Sequence, residues 1–177
     1  MLDKDIPVRN RIREQITFRS REHAIMVGSY IHWWKNKDLD LNPSYQRPYV
    51  WTQKEQDEFL TTLITGFPCG IIAIAVDSEF NESHWVEVID GKQRLTTIIK
   101  VYEGEIGIPM SDGSRLFWDD MQRHEQRAFE NLSLPALGLD ECNKKDRLEF
   151  FIKLNFAGVP QSQEHMKRVI EMYKATK

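Results

Sequence analysis

The densest chemistry in this sequence lies in one short run, Asp90-Gly91-Lys92-Gln93-Arg94, between an apolar segment, WVEVI at 85–89, and an amphipathic one in which Leu95, Ile98, Ile99 and Tyr102 share a helical face. The order strand, glycine turn, helix leaves backbone N–H groups open at the helix start, where the helix dipole adds a partial positive charge. Gly91 lacks a Cβ and so lets an anion approach the backbone. Lys92 and Arg94 add formal charge, Arg94 with a guanidinium able to grip phosphate through two bonds. Thr96 and Thr97 offer hydroxyl donors in the first turn. Together these residues read as a cradle for phosphate. The plainer reading, a β–α turn that carries a surface lysine and arginine, fits the spacing equally well. Asp90 is the exception, because a carboxylate repels phosphate. It can take a backbone N–H and hold the turn, bind a divalent cation such as Mg²⁺ together with phosphate oxygens, or act as a base towards water; turn-holding ranks first and metal second.

A second run, Leu41-Asn42-Pro43-Ser44-Tyr45-Gln46-Arg47-Pro48-Tyr49-Val50-Trp51, contains two prolines and cannot be helical. Irregular segments of this kind often carry sites on a rigid scaffold. Arg47 is placed to add a phosphate contact, with Tyr45, Tyr49 or Trp51 able to stack on a base, although core packing suits Trp51 better.

Other chemistry finds no support. There is no Gly-x-x-x-x-Gly-Lys-Ser/Thr loop, no Cys-x-x-Cys or His-x-x-x-His spacing and no Gly-x-Ser-x-Gly elbow. The five histidines are scattered and suit surface or core places better than metal ligation.

The elements that must position these residues follow from period and punctuation. Val27, Tyr30, Ile31 and Trp34 form one apolar stripe, predicting a helix that follows Ser20 and ends near Lys37. Thr52-Gln53-Lys54-Glu55 is a capping box that opens a helix through Phe59, Leu60, Leu63 and Ile64, stopped by Gly66 and Pro68. GIIAIAV at 70–76 suits a strand buried on both faces, joined to WVEVI by a short loop as a hairpin. The helix after the glycine turn ends at Gly104. Asp112-Gly113 marks a hairpin turn. Asp119 caps a polar helix to about Asn131, and 132–139 is an edge strand because of Pro135. Asn143 caps a helix with Leu148, Phe151, Ile152 and Phe156 inward, broken by Gly158 and Pro160. Ser162 caps a last helix through Met172.

The chain of 177 residues and 20.9 kDa suits one domain. Residues 1–20 read as a basic arm and 21–177 as the domain; from 1 to 21 six cationic side chains face three acidic ones. A hydrophobic fraction of 41% with 9 Phe, 5 Tyr and 5 Trp excludes a disordered chain. A net charge of −3 and a pI near 6.0 argue against a highly basic nucleic-acid coat. Two cysteines cannot build a disulfide framework and point to a reducing compartment. No signal peptide or membrane-length apolar run is present, so the expectation is a cytoplasmic protein with no membrane partner.

The order NPSYQRPYVW, helix, apolar strand, VIDGKQRLTTI resembles the N-terminal domain of GmrSD-type restriction endonucleases, whose signature is DGQQR. WWKNKDLDLNP before the first run and FFIKLNFAGVPQSQE near the end extend the likeness over about residues 24–170. The resemblance implies an α/β (α+β) domain of ParB/sulfiredoxin-like fold, a small mixed sheet flanked by helices, that binds nucleotide or other phosphates, with nucleotide hydrolysis linked to DNA cleavage in phage defence. It carries Asp90, Gly91, Gln93 and Arg94 onto the DGQQR motif; in a hydrolytic reading with nucleoside triphosphate and Mg²⁺, Asp90 and Arg94 take the catalytic roles. Gln46 and Arg47 fall on the upstream Gln-Arg, and Asn155 and Gly158 on a late Asn…Gly element. Lys92 replaces the usual Gln, Lys153 a common Arg and Gln161 a common Leu, and the usual late acidic position falls at His165. Nothing resembles the His-rich HNH-type cleavage domain of these nucleases, so cutting by such a site is expected only with a partner chain. The implied activity is nucleoside triphosphate hydrolysis or nucleotide sensing. A non-catalytic module binding DNA or a partner is the alternative, and a ParB-like DNA nickase ranks last.

Overall fold

The computed structural model describes residues 18–76, 85–140, 142–156 and 163–176. The first elements are β1 (Ser20–His23), α1 (Val27–Lys35), β2 (Leu39–Asp40) and α2 (Gln53–Ile64). Next come β3 (Ile72–Val76), β4 (Val86–Asp90), α3 (Lys92–Tyr102) and a small hairpin of β5 (Ile108–Pro109) and β6 (Arg115–Leu116). A 3-10 turn at Trp118–Asp120 leads to α4 (Arg123–Glu130), β7 (Ala136–Leu139), α5 (Lys144–Phe156) and α6 (Gln163–Ala175). The main sheet has the order β1-β7-β3-β4-β2. β3 pairs antiparallel with β4, as the short connection predicts, whereas β7 runs parallel to β3 and β2 parallel to β4. This is the expected α/β arrangement of a small mixed sheet with helices on both sides.

The alternation of side chains along a strand explains why 72–76 is apolar throughout. Ile72 and Ile74 enter a core with α1, α2 and α3, while Ala73 and Ala75 enter a second core with Leu148 and Phe151 of α5 and Val169 of α6. The helix starts follow local chemistry. Thr52 and Glu55 close the predicted capping box on α2. The Asn143 side chain accepts from the Lys145 and Asp146 N–H groups at the start of α5.

Three expectations need correction. Ser20 opens a strand, and the first helix begins only at Val27. The exposed run 20–23 owes its conformation to pairing with β7, from Ser20↔Leu139 to His23↔Ala136, which no local pattern signals. β7 is an inner strand flanked by β1 and β3; Pro135 precedes it, and its carbonyl accepts from the Ile72 N–H, so the missing proline N–H costs no ladder bond. Finally, α4 is capped by Gln122, in a box closed with Glu125, and Asp119 lies in the preceding 3-10 turn. The arm expected at 1–20 lies largely outside the described residues, as do the 77–84 connection, the breakers Gly158 and Pro160, and Ser162. No helix among the described residues is long and apolar enough to cross a membrane.

Candidate functional site

The site is built where β4 hands over to α3. A bulge opposite Ala73 and Ile74 makes Ile89 an extra residue in β4, which turns the strand end. Gly91 then adopts φ 95°, the left-handed conformation that side chains resist. A Cβ there would lie 2.4 Å from Ile72 Cδ1 and 3.2 Å from Arg94 Nη2. The room left by the missing side chain is therefore filled by the protein's own isoleucine and guanidinium. Among the described residues, the backbone N–H groups of Lys92, Gln93 and Arg94 have no acceptor.

The side chains of the motif turn inward. Lys92 is 7% exposed and donates from Nζ to Asn42 Oδ1 at 2.9 Å; burial pulls its ammonium below the usual lysine range, with Asp40 pulling it back up. Gln93, 8% exposed, accepts from the Val50 N–H at 2.9 Å and donates to the Pro48 carbonyl at 3.1 Å. Arg94 donates to the carbonyls of Cys69 (2.8 Å) and Ile71 (3.1 Å) and pairs with Asp90 Oδ2 at 3.2 Å. Its guanidinium forms one wall of an open groove of about 460 Å³ lined also by Trp51, Glu55, Phe59, Thr62 and Cys69.

The 43–51 segment crosses the end of β4 and is fastened to it. Gln46 Nε2 donates to the carbonyls of Val88 (3.2 Å) and Ile89 (2.5 Å), standing in for a strand beyond the end of β2. Tyr49 OH bonds Thr97 Oγ1 at 3.0 Å, and Lys100 sits over its ring. Arg47 is half-buried and forms no ion pair or hydrogen bond among the described residues. Its charge is felt by Glu55, whose carboxyl is already held below the usual range by the Thr52 backbone and hydroxyl, and by His165 of α6.

These positions revise several sequence expectations. Tyr45 cannot stack on a base: it is 2% exposed, packs on Phe151 and donates to Glu87 Oε1 at 2.5 Å. Burial, then the Glu87 carboxylate, drive its hydroxyl pKa far above the ordinary tyrosine value. Thr97 is fully buried and donates to the Gln93 carbonyl, out of reach of a ligand. Lys92, Gln46 and Gln93 reach a ligand only by surrendering the bonds just described. Asn155 donates to the Phe151 carbonyl within α5, and Gly158 lies outside the described residues. The structure does bring Asp90, Arg94, the α3 amides and the Gln46-Arg47 segment to one corner, with Thr96 half-buried in the first turn of α3.

For Mg²⁺ the fit is partial. The Asp90 side chain is 42% exposed and its Oδ1 has no partner among the described residues, but Arg94 holds Oδ2. No group of three His, Cys, Asp or Glu side chains that could hold a metal occurs among the described residues. A cation at Asp90 would draw its other ligands from phosphate and water, as Mg²⁺ commonly does.

Sequence reading missed Arg168 and placed its neighbour His165 only at the family's late acidic position, without connecting it to this corner. Arg168 Nη2 donates to the Ser44 carbonyl at 2.5 Å, and His165 bonds the Tyr45 backbone. The i, i+3 spacing of Arg168 from His165 on one helix face was the available signal. Glu87, which joins Tyr45 to Arg147 Nη1 at 2.9 Å, was likewise marked only by its charge within an apolar strand.

The fold and this corner define a mixed α/β domain whose strand–glycine–helix turn is locked to an irregular Gln-Arg segment. The family model of the GmrSD restriction endonuclease N-terminal domain matches residues 31–170, and the chain belongs to that family. Comparison with curated proteins finds no match. Among solved structures, the chain is similar to the C-terminally truncated chromosome-partitioning protein ParB from Caulobacter crescentus complexed with CTP-gamma-S, at 12% identity and a TM-score of 0.42. The match covers 81% of this chain and spans 56% of the ParB chain.

Proposed function

We propose that this domain binds the phosphates of a nucleotide at the start of α3. Family membership sets the context, a domain of restriction endonucleases. The observation that carries the reading is the conjunction of three α3 N–H groups without acceptors and Arg47, a cation without a partner among the described residues, on the segment that Gln93 locks against that helix. Backbone donors at a helix start and a planar guanidinium are suited to phosphate oxygens. Gln46, Gln93 and Lys92 hold the corner in shape, and Tyr49 flanks it.

In the hydrolytic form of this reading, the bound ligand is a nucleoside triphosphate with Mg²⁺. Arg47 and the α3 amides offset phosphate charge, the main task in phosphoryl transfer, and Asp90 orients water or assists the cation. The alternative is a non-catalytic sensor that couples nucleotide or DNA phosphates to a partner such as a nuclease chain. One observation favours that alternative: Arg94 is engaged by two carbonyls and Asp90, so its use in catalysis requires breaking a built arrangement. DNA nicking ranks behind both.

Calorimetric titration of the full chain with the four ribonucleoside triphosphates, with and without Mg²⁺, tests binding. Phosphate release, compared with Arg94→Ala, separates the two forms. Absence of heat with every nucleotide refutes the proposal, and turnover that survives unchanged in Arg94→Ala removes Arg94 from the chemistry.

A further inference from the structure

The start of α3 adjoins the open groove of about 460 Å³ described above, and Arg94 belongs to both. Its N–H is one of the three without an acceptor among the described residues, and its guanidinium walls the groove. The Cys69 and Ile71 carbonyls and Asp90 fix that guanidinium in place. Trp51 and Phe59, with ring centroids 5.4 Å apart, give the groove an aromatic lining. Apolar surface continues along the chain beside it: Val50, next to Trp51, and Phe67 and Ile71, on either side of Cys69, are all exposed. Glu55 gives the groove an open acceptor. Its Oε2 takes the Thr52 N–H at 2.7 Å and the Thr52 hydroxyl at 2.8 Å, while Oε1 has no partner among the described residues. Those two bonds hold the carboxyl below its usual range, so it is ionised at neutral pH. Glu58, also at the groove, has the Lys54 ammonium 3.8 Å away.

We propose that this groove takes the base of the nucleotide whose phosphates lie at α3, and that Glu55 Oε1 selects a base carrying an exocyclic amino group. The inference rests on the phosphate-binding reading above and adds the class of base. The aromatic lining offers a planar ring an apolar surface, and the volume lies within the range of small-ligand sites. An ionised carboxylate accepts hydrogen bonds and donates none. It bonds the amino group of cytosine or adenine and repels the carbonyl that stands in the same place in uracil or hypoxanthine. The groove is open to water, so the preference is about tenfold and not the far larger ratio of a closed polar site.

The test uses the full chain and two matched pairs, CTP with UTP and ATP with ITP, each exchanging one amino group for a carbonyl. Inorganic tripolyphosphate is the probe without a base. Calorimetry should show the amino member of at least one pair binding about tenfold more tightly. Glu55→Gln preserves the capping box, which accepts either residue. With its amide oxygen on Thr52, the NH₂ group is left to the groove, so the preference within that pair should vanish or reverse. Thr62→Trp, at a half-buried position on the groove wall, fills the space. It should cut the affinity for the preferred nucleotide about tenfold and leave that for tripolyphosphate unchanged. Should that variant lose every ligand, the wild-type pairs and Glu55→Gln decide the matter without it. Equal affinities within both pairs, a preference for the carbonyl members, or a Glu55→Gln preference identical to that of wild type overturns the groove assignment. Tripolyphosphate binding then leaves the phosphate reading standing; no binding of any ligand overturns both.

Discussion

Replacing Gly91 with alanine separates the two physical demands placed on the turn. The first is conformational. A residue with a Cβ in the left-handed region costs about 1–2 kcal/mol, and Gly91 sits at φ 95°. The second is steric. The new methyl would stand 2.4 Å from Ile72 Cδ1, far inside van der Waals contact, and Ile72 is fully buried. Forcing an extra methyl into a packed core costs about 1–3 kcal/mol. Gly91→Ala should therefore destabilise by about 2–5 kcal/mol. Gly66→Ala supplies the control. Gly66 has φ 79°, but a Cβ added there would meet nothing within 4 Å, so only the conformational cost of about 1–2 kcal/mol applies. A third variant tests the steric part. Ile72→Val removes the offending Cδ1; alone it should cost about 0.5–1.5 kcal/mol, but in the Gly91→Ala background it should cost less or restore stability. Urea unfolding followed by tryptophan fluorescence reads each value, with a slope of about 1–3 kcal/mol per molar urea. Equal losses in Gly91→Ala and Gly66→Ala, or simple additivity of Gly91→Ala and Ile72→Val, would refute the account of why glycine stands here.

Further outcomes follow from the same geometry. Arg47→Ala should weaken nucleotide binding and change stability in urea by less than about 0.5 kcal/mol, as for a surface change that breaks nothing; Arg94→Ala should destabilise by about 1–3 kcal/mol by stranding the Cys69 and Ile71 carbonyls. In an alkaline absorbance titration, Tyr30 and Tyr45 should stay protonated above about pH 11 until the fold is lost, since burial raises both hydroxyls above the ordinary value near 10. The sign follows: above pH 10 the unfolded chain gives up these protons and the folded chain does not, so stability falls as pH rises. His165 acts at the other end. Its folded-state pKa is lowered, so the unfolded chain takes up the proton first and stability falls as pH drops below about 6.5; His165→Gln should flatten that part of the profile. Asp57 is held below the usual carboxyl range chiefly by its bond to Arg115, so the pair's stabilisation is present above about pH 4 and fades below it. Arg115→Ala should remove that acid-side dependence at a cost of up to about 1 kcal/mol at neutral pH, the pair being partly exposed.

Much of this domain was legible in short stretches of sequence. The Thr52–Glu55 box, the Asn143 cap and the turn at Asp112-Gly113 each involve partners within a few residues, so local chemistry decides them. The apolar run at 72–76 announced a strand covered on both faces, because alternation places Ile72 and Ile74 in one core and Ala73 and Ala75 in the other. The presence of a strand–glycine–helix turn, and its kinship with the Gln-Arg segment, were also readable from residue types and order. Local information also misled where two answers were equally consistent. Asp119 is the residue type that favours a helix cap, yet it lies in the 3-10 turn and Gln122 takes the cap position, with Glu125 three residues on.

What the tertiary structure alone decided is where each motif side chain goes. Gln46 and Gln93 are polar residues whose types suggest a ligand, yet their amides complete the backbone bonding of Val88, Ile89, Val50 and Pro48, partners more than forty positions away in sequence. Tyr45 and Thr97 look available in the sequence and are buried in fact. The same closure leaves Arg47 without a hydrogen bond or ion pair among the described residues and brings Arg168 from the last helix onto the Ser44 carbonyl. Residue type and spacing encode what a side chain is able to bond; which bond it makes depends on which backbone donors and acceptors the packed sheet leaves open, and that is settled only when distant segments meet.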